Sequence, residues 1–334
     1  MTEAVVGLFR SCAQWLLVAW AARIIDPLWM PRRWSRRVFS HPVFTGISRH
    51  HLRLVLAEVG PGWVAGREGR LHARRGGRRR RAAGAGRRLA LTLSDRVVIT
   101  LAHLRTGLSH DALAVAFEVD RSTVTRAIGQ VRPLLAGRGF ATPTGVRLRT
   151  LADVFAYAAA EGVTLRMDAT EIRVRRPRAG RGGRKAFVSG KARQNTIKST
   201  VISDETGATL WCGTHRPGRV HDHTAVRIEG IDALLEAFPQ VKVLVDSGYQ
   251  GLAKNHPGQV EAPPLKLRPG AWEPYVIAYE QKRKDQSSRR IAVEHAIAEL
   301  KWWRVLQRFT GRRELLPQTV DAVAALVSDR TITW

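Results

Sequence analysis

The sequence predicts an α/β chain: a mixed sheet with helices, preceded by an all-α region containing a helix-turn-helix. Between residues 91 and 132 apolar side chains recur at helical spacing with short breaks, and from residue 163 the period falls to two. Charge is the third observation. The 334 residues carry 55 Lys+Arg against 28 Asp+Glu, a formal net charge of +27. Such an excess disfavours an enzyme of ordinary surface acting on small molecules and points to a polyanionic partner, nucleic acid first. The two cysteines, Cys12 and Cys212, make neither a disulfide framework nor a Cys-x-x-Cys zinc spacing. The length allows two domains, or one domain with an appended module.

Residues 1–42 read as an N-terminal extension of unknown role. Its most apolar run, Cys12 to Ile25, is interrupted by Gln14 and Arg23, and it falls short of the roughly 20 apolar residues of a spanning helix. Glu3 precedes Arg10, the first arginine, so the basic start of a signal peptide is missing. A membrane is therefore not an expected partner. Residues 26–42 read as a connector. A helical DNA-binding region is predicted over 43–135. Within it, residues 66–88 hold ten arginines and six glycines with Leu71 almost alone as an apolar residue. That composition predicts a mobile linker whose mutually repelling arginines are stabilised by phosphates.

The helix-turn-helix is placed at 94–132. Ser94 is a candidate cap for a helix through Val97, Val98, Leu101 and Leu104 that ends at Gly107, and Ser109 for a second through Leu113 and Phe117. After a turn at Glu118–Arg121, a third helix is predicted from Ser122 to about Arg132, stopped by Pro133. Val124 and Ile128 face inward at i, i+4, which leaves Arg121, Ser122, Thr123, Thr125 and Arg126 outward. Small hydroxyls and arginines at the start of such a helix suit phosphates and base edges in a major groove.

A catalytic domain is predicted over 150–334. Helix continues through 151–160. Strands follow at Val163–Asp168, Thr196–Ile202 and Ala208–Cys212, an antiparallel meander with a basic hairpin (173–193) between its first two strands. Nine Lys+Arg, among them Arg178, Arg181 and Arg184, put that hairpin over phosphates rather than in a core. His221–Phe238 reads as one helix, Val241–Val245 as a short buried strand and Arg289–Leu306 as a final helix, with Lys282, Arg283 and Lys284 just ahead of it.

Acids are scarce, so their positions are informative. Asp168 is expected to close the first strand and Asp246 the buried one, while Glu294 lies on the last helix. A carboxylate at the end of an apolar strand is costly to bury unless it is paired or binds a metal. Three carboxylates from two strands and a helix can hold two Mg²⁺ ions through oxygen ligands. On spacing alone, a structural or capping role for any one of them stays open. Arg290, Glu294 and Lys301 are four and seven apart and share a helix face, which either holds a metal and clamps phosphates or is a salt-bridged surface stripe. His221-Asp222-His223 lacks the further ligands of a zinc site, so Asp222 is either a helix cap or an auxiliary acid.

With these residues in view, the chain resembles the DDE transposases of bacterial insertion sequences, in the insertion-sequence-five group, from roughly residue 43 to 334. The matching pieces are the stretch from His110 to Arg126, then Met167-Asp168-Ala169-Thr170-Glu171, the run Pro217 to Asp222, Val245-Asp246-Ser247-Gly248-Tyr249, and Arg290, Glu294 and Lys301 followed by Trp302-Trp303-Arg304. The resemblance implies a ribonuclease-H-like catalytic fold, two divalent ions (Mg²⁺ or Mn²⁺), and cleavage and joining of double-stranded DNA at transposon ends and target. It implies Asp168, Asp246 and Glu294 as the catalytic, metal-holding triad, Arg290 and Lys301 as flanking cations, and Asp222 near the site. It further implies a cytoplasmic, nucleoid-associated protein, with a homo-oligomer among its partners. Two positions depart from the pattern. Ser287 stands where a tyrosine often precedes the arginine, and Glu118 where such turns often carry glycine, predicting a different turn. The alternative reading is a DNA-binding protein that keeps the fold without catalysis; the presence of all three carboxylates favours the enzyme.

Overall fold

The computed structural model describes residues 32–79, 89–177 and 183–332. The apolar run at 12–25, the arginines at 80, 81, 87 and 88, and Arg178 and Arg181 of the hairpin lie outside the described residues.

The expected connector is structured from residue 32 onward. Helices α1 (Arg32–Phe39) and α2 (Pro42–Thr45) pack on the helix-turn-helix. Phe39 stacks at 4.9 Å on Phe44 and 5.6 Å on Phe117, and Arg36 reaches Asp95 at 2.5 and 2.8 Å. Helix α3 (Arg49–Arg75) then runs for 27 residues, so the first ten residues of the expected linker are helical. They bury no face, as their composition requires. Arginine, alanine, leucine and glutamate are good helix formers, and a helix already started at Ser48 extends without a second nucleation cost. Gly76, in the left-handed conformation at φ 69°, ends it.

Helix α4 (Leu93–Thr106) starts one residue before Ser94, because Thr92 is its cap. The Thr92 hydroxyl accepts from the Asp95 N–H at 3.2 Å, and the Asp95 carboxylate accepts from the Thr92 N–H at 2.9 Å, closing a capping box. Ser109 caps α5 (His110–Ala116) as predicted. The recognition helix α6 (Arg121–Ala136) passes through Pro133 instead of stopping there. Val131 and Leu135 are fully buried on either side of the proline. Packing of that last turn outweighs the one hydrogen bond that Pro133 cannot donate.

Glu118 does take the left-handed conformation, with φ 51°, in the turn between α5 and α6. The turn is therefore kept in spite of the side chain, at a cost of about 1 kcal/mol. Glu118→Gly is expected to raise the unfolding free energy by about 0.5–1 kcal/mol, read by urea denaturation; a loss of stability would show that the Glu118 side chain contributes more than its backbone costs.

A two-residue pairing, β1 (Phe140–Ala141) with β2 (Arg147–Leu148), and helix α7 (Leu151–Glu161) lead into the sheet. Its strands are β3 (Leu165–Val174), β4 (Thr196–Ser203), β5 (Thr209–Pro217), β6 (Val243–Leu244) and β7 (Val260–Glu261), in the order β5-β4-β3-β6-β7. The first three are the predicted antiparallel meander, and β6 and β7 join parallel. β3 extends six residues past Asp168, because β4 pairs with it as far as Arg173. Asp168 is thus mid-strand and does not close it. Gly230, left-handed at φ 73°, breaks the predicted 221–238 helix into α8 (Asp222–Glu229) and α9 (Ile231–Ala237).

After α10 (Gln250–Asn255), the long helix α11 (Glu273–Lys301) begins sixteen residues before the predicted start and takes in Lys282, Arg283 and Lys284. Along its 29 residues only Gln286, Val293, Ala296 and Leu300 are buried, so its first half carried no apolar stripe to read. It ends at Lys301, followed by α12 (Arg304–Gln307), β8 (Arg308–Phe309), which pairs with the end of β3, and α13 (Leu316–Ser328).

The core lies on both sides of the sheet. On one side, Leu165, Met167, Ile202 and Leu210 pack with α7, α8 and α9. On the other, Ile172, Val174, Ile197 and Val201 pack with α11 and α13, and that cluster continues without a break into Val98, Leu101, Val124 and Val131 of the helix-turn-helix. Among the described residues the helical region has no separate core. Behind it, the buried Asp329 bridges His51 at 2.7 Å, Arg138 at 2.7 Å and Arg147 at 2.9 Å, tying α3 and the β1–β2 pair to the end of α13.

Candidate active site

Register brings two of the predicted carboxylates together. β3 and β6 pair in parallel as Leu165 with Val243 and Arg166 with Leu244. Two residues past the last pair, Asp168 and Asp246 lie near each other, close enough for the charge of Asp246 to act on the Asp168 carboxyl. β6 itself ends at Leu244, and the chain turns through Ser247–Tyr249 with the Asp246 carboxylate accepting from the Gly248 N–H at 2.8 Å. Asp222 closes in from the start of α8: a Cβ on Gly248 would lie 3.0 Å from carboxylate oxygens of both Asp222 and Asp246. Asp222 is not a helix cap. It sits one residue inside α8, caps nothing with its side chain, and pairs with Lys198 at 2.8 Å.

The electrostatics follow from this crowding. Burial pushes the Asp168 carboxyl up, and the like charges of Asp246 and Asp222 act in the same direction; the Ala169 N–H at 2.7 Å and Arg290 oppose them. Arg290 donates to Asp168 at 3.1 Å. Tyr249 is buried beside the acids with its hydroxyl unpaired, and burial first, then Asp222, Asp168 and Asp246, hold it well above the ordinary phenol range.

Glu294 stands apart. The long helix runs alongside β3: the Arg166 guanidinium donates to the Arg289 carbonyl at 2.7 Å, and the Lys301 ammonium donates to the Glu171 carbonyl. Twelve helical residues rise about 18 Å and five strand residues about 16 Å, so the two elements keep pace and Glu294 comes level with Asp168. Around the helix, however, Arg290 turns toward β3 while Glu294, one turn later on the same flank, is exposed. Among the described residues no group of three His, Cys, Asp or Glu side chains is close enough to hold a metal ion. Lys301, expected as a phosphate clamp, points inward. It donates to the Glu171 and Leu306 carbonyls, and burial pulls its ammonium down to about 8.

On the recognition helix, Arg121, Ser122, Thr125 and Arg126 are exposed and Thr123 is half-buried. Arg126 curls back on the Ser122 and Thr123 hydroxyls at 3.4 and 3.3 Å, and Arg121 pairs with Asp111 at 3.3 Å. Arg184 opens a short 3₁₀ turn, Arg184–Phe187, at the hairpin base; only its backbone is described.

Two residues beside the acids were missed in the sequence: Lys198 and Tyr249. Lys198 carried a signal, as the lone cation of the β-rich run 196–203. Tyr249 lay in the run Val245–Tyr249 that matches the family, but nothing in its spacing marked it as part of the site.

Comparison with known proteins agrees with this geometry. Residues 167–328 match the family described as DDE superfamily endonuclease, and residues 89–141 match the helix-turn-helix of DDE superfamily endonuclease. A probable transposase for insertion sequence element IS702 of Microchaete diplosiphon is 27% identical over 224 residues, covering 66% of this chain and 74% of that protein. A putative transposase for insertion sequence element IS112 of Streptomyces albus G is 27% identical over 266 residues, covering 76% and 89%. No solved structure matches the chain. The mixed sheet with its helices, behind a helical N-terminal region, is that of a ribonuclease-H-like domain. The chain carries a DDE superfamily endonuclease domain over residues 167–328 and, ahead of it, the helix-turn-helix of that superfamily over residues 89–141.

Proposed function

We propose that the chain is a transposase that binds the terminal inverted repeats of an insertion sequence through Arg121, Ser122, Thr123, Thr125 and Arg126, and cuts and joins DNA at Asp168, Asp246 and Glu294. The observation that carries this reading is the crowding of Asp168, Asp246 and Asp222 just past the β3–β6 pairing, where β6 ends and the backbone turns away. The donor set fits Mg²⁺ or Mn²⁺: all oxygen, all carboxylate, and short of the positive charge that two crowded aspartates call for. Two such ions, when bound, supply activation of the attacking oxygen and stabilisation of the leaving one.

The protein's own part is positional. Asp168 stands on β3 and Asp246 just past the end of β6, near enough for like charge to act between them, and Asp246 is further fixed by the Gly248 N–H. In this reading Glu294 turns in toward the pair from the helix flank that it shares with Arg290. Arg290 pairs with Asp168 in this state and is placed to turn to a phosphate when DNA arrives. Lys198 holds Asp222 at the rim.

The test is strand cleavage of a plasmid carrying the element's ends, with Mg²⁺ and without. Cleavage only with the ion supports the reading. The position of Glu294 outside the carboxylate cluster favours a second reading, a DNA-binding protein without catalysis, and end binding with no cleavage under any divalent ion would select it. Gly248 gives a local check. Its backbone is not left-handed, so alanine is tolerated there, yet the added methyl would press on Asp222 and Asp246 at 3.0 Å. Gly248→Ala is expected to slow cleavage by up to about 10-fold, since the carboxylates must give by only a few tenths of an ångström and a displacement of about 1 Å costs about 100-fold, while the melting temperature and end binding stay unchanged. Cleavage at the wild-type rate would show that Asp222 and Asp246 need not be held in this geometry.

A further inference from the structure

A cleft with a cavity volume of about 1520 Å³ separates the recognition helix from the segment that follows α11. One wall carries Arg121 and Thr125 of α6, and the other carries Arg304, Arg308 and Arg312, with Arg175 and Arg176 from the end of β3 at the floor. Across the whole lining there are eight arginines and two carboxylates. Both carboxylates are already engaged, Asp111 by Arg121 at 3.3 Å and Glu314 by Arg312 at 3.6 Å. Arg175, Arg176, Arg304 and Arg308 are exposed and have no acidic partner among the described residues. A second recess, of about 570 Å³, shares Arg175, Arg176 and Arg308 with the first and continues toward Arg193 at the hairpin base.

Unpaired arginines crowded along one wall and the floor of a cleft repel, and among the described residues no acidic contact offsets that repulsion. A polyanion between the walls does. The geometry selects which one. A helix that enters a major groove about 12 Å wide is flanked on each side by a phosphate strand. The cleft lies along one flank of α6, so the strand bordering the groove on that side runs between the two walls. We propose that the arginines of the 304–312 segment, with Arg175 and Arg176, grip the phosphate backbone of the same duplex that the recognition helix reads. The inference rests on the DNA-binding reading above and deepens it: one duplex is held jointly by the helix-turn-helix and the sheet domain. β8 and the end of β3 form the floor, and Asp168 lies further back along the same strand, so this grip sets the spacing between the recognised sequence and the carboxylates.

The experiment is equilibrium binding of the full-length chain to two labelled duplexes, one carrying the element's end and one of random sequence, between 50 and 200 mM salt. The variant is Arg304→Gln/Arg308→Gln, with Arg304→Lys/Arg308→Lys as the charge-keeping control and the melting temperature as the check on folding. Each lost phosphate contact lowers the slope of log K against log salt by about 0.9, so the glutamine pair is expected to reduce it by about 1.8 on both duplexes. The ratio between end and random DNA is expected to hold, because phosphate contacts carry no sequence information. The lysine pair is expected to keep the wild-type slope. A glutamine pair that folds and keeps the wild-type slope overturns the inference and leaves the DNA-binding reading standing. A wild-type chain with no affinity for either duplex overturns that reading and this inference with it.

Discussion

Asp246→Asn is expected to abolish Mg²⁺-dependent cleavage while leaving end binding within about twofold. Asparagine keeps the shape of the side chain and an oxygen to accept the Gly248 N–H, now at 2.8 Å, so the turn after β6 should hold. What disappears is the charge. A neutral amide is a poor ligand for a hard divalent cation, and the rate is expected to fall by about a thousandfold or more, about 4 kcal/mol of barrier. A second readout works without any metal. Like charge from Asp246 is one of the causes that push the Asp168 carboxyl up. Its removal is therefore expected to move the Asp168 titration down, toward the ordinary carboxylate range, in carbon-detected NMR of the metal-free protein. Cleavage at wild-type rate would remove Asp246 from the catalytic set; an unmoved Asp168 titration would mean that the two carboxylates do not face each other.

Much of this site was legible in the sequence because periodicity and rarity pointed the same way. Met167-Asp168 and Val245-Asp246 each set an acid after apolar residues in a chain poor in acids. The helical spacing of Arg290, Glu294 and Lys301 did put them on one flank. What spacing could not supply was how far each side chain is turned. Arg290 reaches Asp168, Lys301 is drawn inward to two carbonyls, and Glu294 faces solvent. The ends of elements were lost for a related reason. β3 past Asp168 reads Ala-Thr-Glu-Ile-Arg-Val, polar enough to pass for a loop, and only its pairing with β4 keeps it extended. Pro133 reads as a stop, yet the burial of Leu135 beyond it carries the helix on. The first half of α11 packs against little and left no periodic mark.

The second large effect is expected far from the carboxylates, at Asp329. This side chain is fully buried and meets three partners from two other parts of the chain: His51 at 2.7 Å, and Arg138 at 2.7 Å with Arg147 at 2.9 Å from around the β1–β2 pair. Arg138, itself buried, also pairs with Glu58 at 2.7 Å. Taking away one member of such a cluster leaves its partners in a low dielectric without compensation, a loss of about 3–5 kcal/mol. Asp329→Asn is therefore expected to lower the urea-unfolding free energy by that amount at pH 7. Because His51 belongs to α3, Arg138 and Arg147 flank the β1–β2 pair and Asp329 follows α13, helical region and sheet domain are expected to unfold together, in one transition. The pH dependence has a definite sign. Burial by itself would raise the Asp329 carboxyl, but the His51 hydrogen bond and the charges of Arg138 and Arg147 outweigh it and hold the group below its ordinary value of 3.8. A carboxyl with a depressed native pKa contributes its full stability above the unfolded value and loses it as pH falls through the native one. The gap between wild type and Asp329→Asn is thus expected to be constant near neutrality and to close progressively below about pH 4. A gap that stays constant into acid would mean that the variant loses packing rather than the charge of Asp329. Two separate transitions would instead show that the shared core does not couple the halves.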